Sequence, residues 1–476
     1  MAPAAQVSAA KRVSAPTYDF ATRDGRLFLE GVDLTSLAMK HGSPLFVFSE
    51  RRVMANVESV RKAFQAKFRK SRIFYATKAG SNLSIIRTIK REGIGVEVSS
   101  EGDIFMSLVA GFSPHEMVFN GPAKSDRELE ISSRLGLYSV NLDSVDELER
   151  LHAICKRDRR TARIAFRIRP DVEAGTKIIQ TGTSTSKFGI GLSEAVDAYA
   201  KAASFQDHLN VVGIHAHVGS QNTSVGSWRD FVLKLARLTT RLKEELDLDL
   251  QHLNVGGGVP AVHVTDSLNQ PTPPFMKAVP SDDEVASAVA DALREGGIRD
   301  IEVVAEPGRR IVAGAGLLVT KIISEKASGG QNWIYVDAGF NTLPSAPMPW
   351  YFHMVPVTKA GEKEESPYRV AGPLCDNKDV FHDQHGEDEG NPTLPEHRML
   401  PKSLHPGDYL ALLDVGAYNM DIQNSFNERL MAGGIYIERN GTPRVMRRRQ
   451  EYEDLMAYEP HRKKSVEGAV RRMTNG

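Results

Sequence analysis

Eight short apolar segments of this chain end, one after another, in reactive or glycine-rich residues. They are RIFYATK (72–78), IGVEV (94–98), MVFNG (117–121), YSVNLD (138–143), IAFRIR (164–169), VVGIHAHVGS (211–220), HLNVGGG (252–258) and IEVVAEPGR (301–309). Each is β-branched or aromatic enough for a buried parallel strand. Most gaps between them carry helix-period stretches, as in ERRVMANVESVRKAFQAKF, where Val53, Met54, Val57, Val60 and Phe64 recur at helical spacing. Eight alternating strands and helices predict an α/β fold closed as a (β/α)8, TIM-like barrel. Such barrels carry their chemistry at the C-terminal strand ends, where Lys78, His217, Ser220, Gly256, Gly257, Gly258, Glu306 and Arg309 all fall.

The pattern changes after about residue 311. Strand-like runs now follow with turns and little helix: LLVTKIISE, WIYVDAG, YRVAGPLC, DYLALLDVG, GGIYIERNG and PRVMRRR. They predict a C-terminal, mostly antiparallel β domain. At 476 residues the chain is long enough for two domains. The expected division is a flexible tail over 1–20, an N-terminal segment over 21–49 joining the β domain, the barrel over 50–310 and the β domain over 311–476. Two polar insertions, about 358–367 and 382–400, read as surface loops. The proline-rich stretch 259–280 reads as a loop over the site.

Charge and cysteine usage exclude several classes. Sixty basic and sixty acidic residues cancel, which argues against a nucleic-acid partner. The Arg447–Arg448–Arg449 run is followed by Glu451, Glu453 and Asp454 and reads as a salt-bridged face. Two cysteines, Cys155 and Cys375, make no disulfide scaffold and fit a cytoplasmic setting. No apolar run reaches membrane-spanning length, so no membrane partner is expected.

Several residues could carry chemistry. Lys78 emerges from an apolar strand, the partly desolvated setting that a Schiff-base lysine needs. A plain surface lysine at a strand end is the alternative. His215 and His217 stand two apart, so on a strand both face one side. They read as a metal pair, as a ring stacked on a flat cofactor with its neighbour packed below, or as two core histidines. Ser220 and the three glycines of NVGGG suit a phosphate nest. In EPGRR, Glu306 could keep a pyridine nitrogen protonated and Arg309 could fork onto a phosphate or carboxylate, or the two could form a structural bridge.

Taken in order, FYATKAG, SKFGI (186–190), HAHVGSQ, NVGGG, EPGR, VDAG (336–339), GPLCDNKD, GAY and RRRQEYEDL resemble the fold-type III pyridoxal-phosphate-dependent amino-acid decarboxylases, the diaminopimelate and ornithine decarboxylase family. The resemblance runs over roughly residues 27–457. It implies pyridoxal 5′-phosphate as cofactor, held covalently by Lys78, with His217 on the ring face and Glu97 near the ring. It further implies Ser220, Gly256, Gly257, Gly258 and Tyr418 on the phosphate, Glu306 on the pyridine nitrogen, and Arg309 on phosphate or substrate. Cys375 would return a proton to the substrate carbon after CO2 leaves. The CDNKD loop would reach the neighbouring subunit's site, which implies a head-to-tail homodimer with shared active sites.

The substrate expectation comes from departures. Diaminopimelate decarboxylases usually carry an arginine and a tyrosine in the stretch after VDAG, partly to grip the distal carboxylate. Here that stretch is FNTLPSAPMPWYFH (340–353), with Ser345 and Pro349 at those positions. Asp376, Asp379 and Asp421 could instead meet a cationic tail. The wording VAGPLCD, LDVGAY and RRRQEYEDL looks most like the branch of D-ornithine/D-lysine decarboxylases. The expected activity is decarboxylation of a small basic diamino acid to an amine. The alternatives are a meso-diaminopimelate decarboxylase making L-lysine, a metal-dependent barrel hydrolase built on His215 and His217, and a racemase-like or cofactor-carrying barrel.

Overall fold

Parallel strands at Ser71–Ala76, Gly95–Val98, Met117–Phe119, Ser139–Leu142, Ala162–Arg169, Leu209–His215, His252–Asn254 and Glu302–Ala305 follow one another in a single sheet. The eighth pairs with the first, Val303 opposite Ser71, which closes the barrel. All eight expected strands are present. In this computed structural model the described residues are 18–174, 179–263, 279–346, 350–381, 397–460 and 463–474. The barrel belongs to one compact unit, Arg51–Val262 with Pro274–Ala313.

The helices form where caps and apolar spacing agree. Val53, Val57, Val60 and Phe64 of helix Glu50–Lys67 are buried. Ser144 caps helix Val145–Asp158, its hydroxyl accepting from the Glu147 amide. Ser125 with Glu128, and Ser281 with Glu284, form reciprocal capping boxes that satisfy amides otherwise left open.

A polar and aromatic group closes the floor of the barrel. Tyr138 donates to Glu302 Oε2 over 2.5 Å, and the Arg72 and Arg163 guanidiniums lie 4.9 and 5.7 Å from its ring. Phe74 and His252 rings sit 5.0 and 5.1 Å away. His252 is fully buried, and neither ring nitrogen has a hydrogen-bond partner among the described residues. Burial, helped by Arg163 and His215, pushes its pKa down to about 3.

The second unit comprises 1–50, 263–273 and 314–476. Its long strand Gly316–Ser328 pairs antiparallel with Gln331–Val336, Tyr409–Leu412 and Leu45–Ser49. The N-terminal segment folds into a hairpin, Phe20–Arg23 with Arg26–Leu29, then helix Leu34–His41 and strand Leu45–Ser49. That strand lies between Gly316–Ser328 and the parallel strand Gly433–Ile437. Leu27, Val47, Leu317, Ala411 and Ile435 share its core, and the Tyr18 hydroxyl donates to the Gly316 carbonyl over 3.0 Å.

Two expectations for this unit need correction. Residues 365–367 belong to strand Glu365–Ala371, and 398–400 to strand Arg398–Pro401, which pair antiparallel. Glu365, Ser366 and Pro367 keep exposed surface while Val370 is buried, so a polar segment forms one end of a strand. Most of the 382–400 insertion and of the 259–280 loop lies outside the described residues, as does Pro349. The arginine run behaves as expected: Arg448 pairs with Asp454, and Arg447 with Asp421 at 2.8 Å. Among the described residues no helix is long and apolar enough to cross a membrane.

Candidate active site

The C-terminal end of the barrel collects the predicted chemistry. Lys78 leaves the first strand on a single turn, Thr77–Ala79, whose flanking residues Thr77 and Ala79 are buried. The lysine side chain is half-exposed, and its Nζ is paired with the fully buried Glu97 at the end of the second strand. The Ser99 hydroxyl donates to the other Glu97 oxygen over 3.1 Å.

The sixth strand stops at His215, so its alternation does not extend to His217. His215 is fully buried, with Nε2 3.3 Å from Glu306 Oε2. His217 lies in the following loop, its Cε1 3.7 Å from where a Cβ on Gly257 or Gly258 would stand. Burial first, then the Arg167 and Lys78 cations, push the His217 pKa down to about 3, so the ring is neutral at physiological pH. Its Nδ1 has no hydrogen-bond partner among the described residues. Among the described residues no three metal-ligating side chains gather, so the metal-pair reading finds no third ligand.

The seventh strand ends in the glycine turn. Gly256 and Gly258 have φ of +67° and +103°, and a Cβ on Gly257 would meet the Glu306 carbonyl at 2.7 Å. Only glycine fits, and no side chain stands before the backbone there. Across the barrel end, Arg309 Nε donates to Ser220 Oγ over 3.0 Å.

Glu306 is buried at the end of the eighth strand. Its Oε1 accepts from Asn254 Nδ2 over 2.7 Å and its Oε2 from Asn120 Nδ2 over 2.8 Å. Burial alone would push its pKa up, but His215, Lys78 and the Asn254 amide outweigh it and hold the carboxyl well below the usual range.

Asn120, Asn254 and Arg167 are residues that the sequence reading missed. Each is a polar residue at the end of an apolar strand run, VFN, HLN and AFR, and that interruption was the available signal. Arg167 is buried, with Nη2 unpartnered among the described residues and the Phe188 ring 4.2 Å from its guanidinium carbon. Lys124 was also missed; it is buried and donates to the Gly121 and Asn141 carbonyls over 2.6 and 2.7 Å.

Cys375, Asp376, Asp379 and Tyr418 belong to the second unit, where three loops bring them together. The Cys375 amide donates to Asn427 Oδ1 over 2.9 Å and the Asn424 amide to the Asn341 carbonyl over 2.9 Å. Tyr418 takes a left-handed φ of +56°, and its carbonyl accepts from Ser345 Oγ over 3.0 Å. The Cys375 thiol is exposed, and Asp376 Oδ1 accepts from the Lys378 amide over 2.8 Å. Asp379, expected to meet a cationic tail, lies inside its own loop. It is buried, it accepts from the Phe340 and Leu374 amides over 2.8 and 2.7 Å, and burial raises its pKa. Its carboxylate shapes the loop that presents Cys375.

Residues 52–313 match the family described as "Pyridoxal-dependent decarboxylase, pyridoxal binding domain". The chain belongs to the pyridoxal-dependent decarboxylases and is a carboxy-lyase. It is 33% identical over 441 residues to the diaminopimelate decarboxylase of Vibrio cholerae, covering 92% of this chain and 97% of that one. It is 31% identical over 437 residues to the diaminopimelate decarboxylase of Aquifex aeolicus, covering 91% and 96%. The crystal structure of diaminopimelate decarboxylase from Helicobacter pylori complexed with L-lysine superposes with a TM-score of 0.78 at 30% identity, over 89% of this chain and 98% of that one.

Proposed function

We propose that this chain decarboxylates a small basic diamino acid, of the kind represented by D-ornithine and D-lysine, with pyridoxal 5′-phosphate as its cofactor. The observation that carries the substrate reading is Ser345. Its hydroxyl is committed to the Tyr418 carbonyl and its amide, at 3.3 Å, to Asn419 Oδ1. The stretch 340–352 contains no cationic residue. A distal carboxylate brought to this stretch would find no cation within it, and an unpaired buried charge costs several kcal/mol, roughly.

The barrel residues fit the cofactor. A buried ionised acid, a neutral imidazole, a glycine turn without side chains and an amine suit a ring nitrogen, a ring face, a phosphate and an aldehyde. Lys78 would hold the group covalently, with Glu97 beside it. Glu306 would face the ring nitrogen as a carboxylate, and His217 would lie on the ring face. Ser220, Gly256, Gly257, Gly258, Arg309 and Tyr418 would meet the phosphate, and Asp376 a cationic substrate tail. When bound, pyridoxal phosphate supplies the electron sink that makes loss of CO2 feasible. Cys375 would then give its thiol proton to the substrate α-carbon, acting in the neighbouring subunit of a head-to-tail homodimer. The free thiols support a reducing, cytoplasmic setting. On this reading residues 50–310 bind the cofactor and 311–476, with 21–49, carry the proton donor.

A second reading is meso-diaminopimelate decarboxylation to L-lysine, favoured by the names of the relatives at 31–33% identity. CO2 release with added pyridoxal phosphate separates the two, using meso-diaminopimelate and both enantiomers of lysine, ornithine and arginine. Turnover of one basic enantiomer supports the proposal. Turnover of diaminopimelate alone overturns it in favour of the second reading. No turnover of any of these overturns both and directs attention to larger, modified amino acids.

A further inference from the structure

The Glu306 carboxylate is the terminus of a one-way hydrogen-bond chain across the barrel. Ser139 Oγ donates to Asn141 Oδ1 over 2.9 Å, Asn141 Nδ2 to Asn120 Oδ1 over 2.7 Å, and Asn120 Nδ2 to Glu306 Oε2 over 2.8 Å. Asn120, Asn141 and Ser139 are all buried. An ionised carboxylate only accepts, so Asn120 must turn its NH2 toward it, and Asn141 must then donate to the Asn120 oxygen. On the other side, Asn254 is locked the same way: its Oδ1 accepts from the Gly256 amide over 2.9 Å, which leaves its NH2 for Glu306 Oε1. The lysine amine beyond Asn141 braces the chain, because Lys124 Nζ lies 2.7 Å from the Asn141 carbonyl and 3.1 Å from Glu147.

We infer that Asn120, oriented by Asn141, is a positioning residue that holds Glu306 as a carboxylate facing the cofactor ring nitrogen. The inference rests on the pyridoxal site proposed above and assigns a role to a residue outside it. A donor fixed before the cofactor arrives strengthens the ionised form, and it does so without reorganisation at the moment of reaction. The other charged or titratable groups that interact with Glu306 are His215 from the sixth strand, His217 in the loop after it, His252 from the seventh, Lys78 after the first and Arg167 from the fifth. None of these replaces the Asn120 bond to Oε2, which is shorter than the 3.3 Å approach of His215 to the same oxygen.

The test begins with protein free of cofactor, carrying 13C at the glutamate carboxyl carbons. The Glu306 signal is identified by its loss in Glu306→Gln and is followed against pH. Asn120→Leu should raise the Glu306 pKa by about one unit or more, the scale of one lost hydrogen bond to a charged group. Asn141→Leu should move it the same way by less. Should Asn120→Leu not fold, Asn120→Ser removes the reach of the donor with less disturbance. An unchanged Glu306 titration in the folded variant overturns the inference. The second step uses 15N-labelled pyridoxal phosphate. Asn120→Leu should move the ring-nitrogen signal toward its unprotonated position and lower kcat with little change in KM. If Glu306→Gln moves that signal and Asn120→Leu does not, the pyridoxal site stands and the relay is overturned. If neither moves it, the ring-nitrogen role of Glu306 fails and the inference falls with it.

Discussion

Arg309 and Ser220 meet across the mouth of the barrel, the arginine Nε donating to the serine Oγ over 3.0 Å. The contact joins the turn after the eighth strand to the loop after the sixth and fixes the guanidinium plane beside the glycine turn. Arg309→Ala is expected to weaken pyridoxal phosphate binding about tenfold or more, the scale of a charge-assisted hydrogen bond. Arg309→Lys keeps the charge but not the fork and should fall between. Titration of cofactor-free protein with pyridoxal phosphate reads both.

Lys78 pairs with Glu97 at the barrel mouth. Lys78→Ala should abolish covalent retention of the cofactor and lower turnover by at least about 10⁴-fold, beyond the loss of one positioned proton-transfer group. Intact mass after borohydride reduction is decisive: wild type gains the cofactor mass and the variant does not. A variant that still gains it would remove Lys78 from this role.

Ser345→Arg places a cation where none stands in the 340–352 stretch. Activity on meso-diaminopimelate should appear or rise about tenfold, with a matching loss on basic substrates, since like charges now oppose their tails. No change in the ratio of kcat/KM values would sink the reading of this position.

Cys375 is exposed and its amide is tied to Asn427. Cys375→Ala should leave cofactor binding unchanged and slow product formation about 10²-fold or more. Running the reaction in D2O and examining the product should show misplaced or scrambled deuterium at the carbon that loses CO2. Wild-type rate and labelling in the variant would assign the proton to another group.

Acid sensitivity should trace in part to His252 on the barrel floor. Its folded pKa of about 3 lies below the unfolded value near 6.5. Between those limits the unfolded chain binds more protons, so stability rises with pH and is lost progressively as pH falls from about 6.5 toward 3. The full effect of one such histidine is on the order of 4 kcal/mol. His252→Leu should flatten the fall of Tm between pH 7 and pH 5, measured by calorimetry; an equally steep profile would place the acid sensitivity elsewhere.

The barrel was legible because its strands are contiguous apolar runs whose ends are marked by unusual residues, as in FYATK and NVGGG. The polar lining was harder. Asn120 and Asn254 look like strand-end turn residues in one dimension, and only closure of the barrel brings both onto Glu306. His215 and His217 were misjudged as strand neighbours because the strand stops at the first of them. The burial of Asp379 is hidden in the sequence because an acid in a turn reads as exposed, while here Gly339 and Gly372 leave room for its carboxylate to fold inward onto amides. Strand Glu365–Ala371 was partly hidden by a polar first half.

The strand Leu45–Ser49, held between Gly316–Ser328 and Gly433–Ile437, has a consequence for biosynthesis. It is made early, yet both of its sheet neighbours leave the ribosome only after the whole barrel has been synthesised. During that interval its five apolar-rich residues, LFVFS, have neither neighbour in place. The barrel, made of consecutive elements, is free to fold first, while the β sheet must wait for residue 437. A ribosome paused between the two would display an apolar strand without its sheet, the kind of segment on which chaperones act.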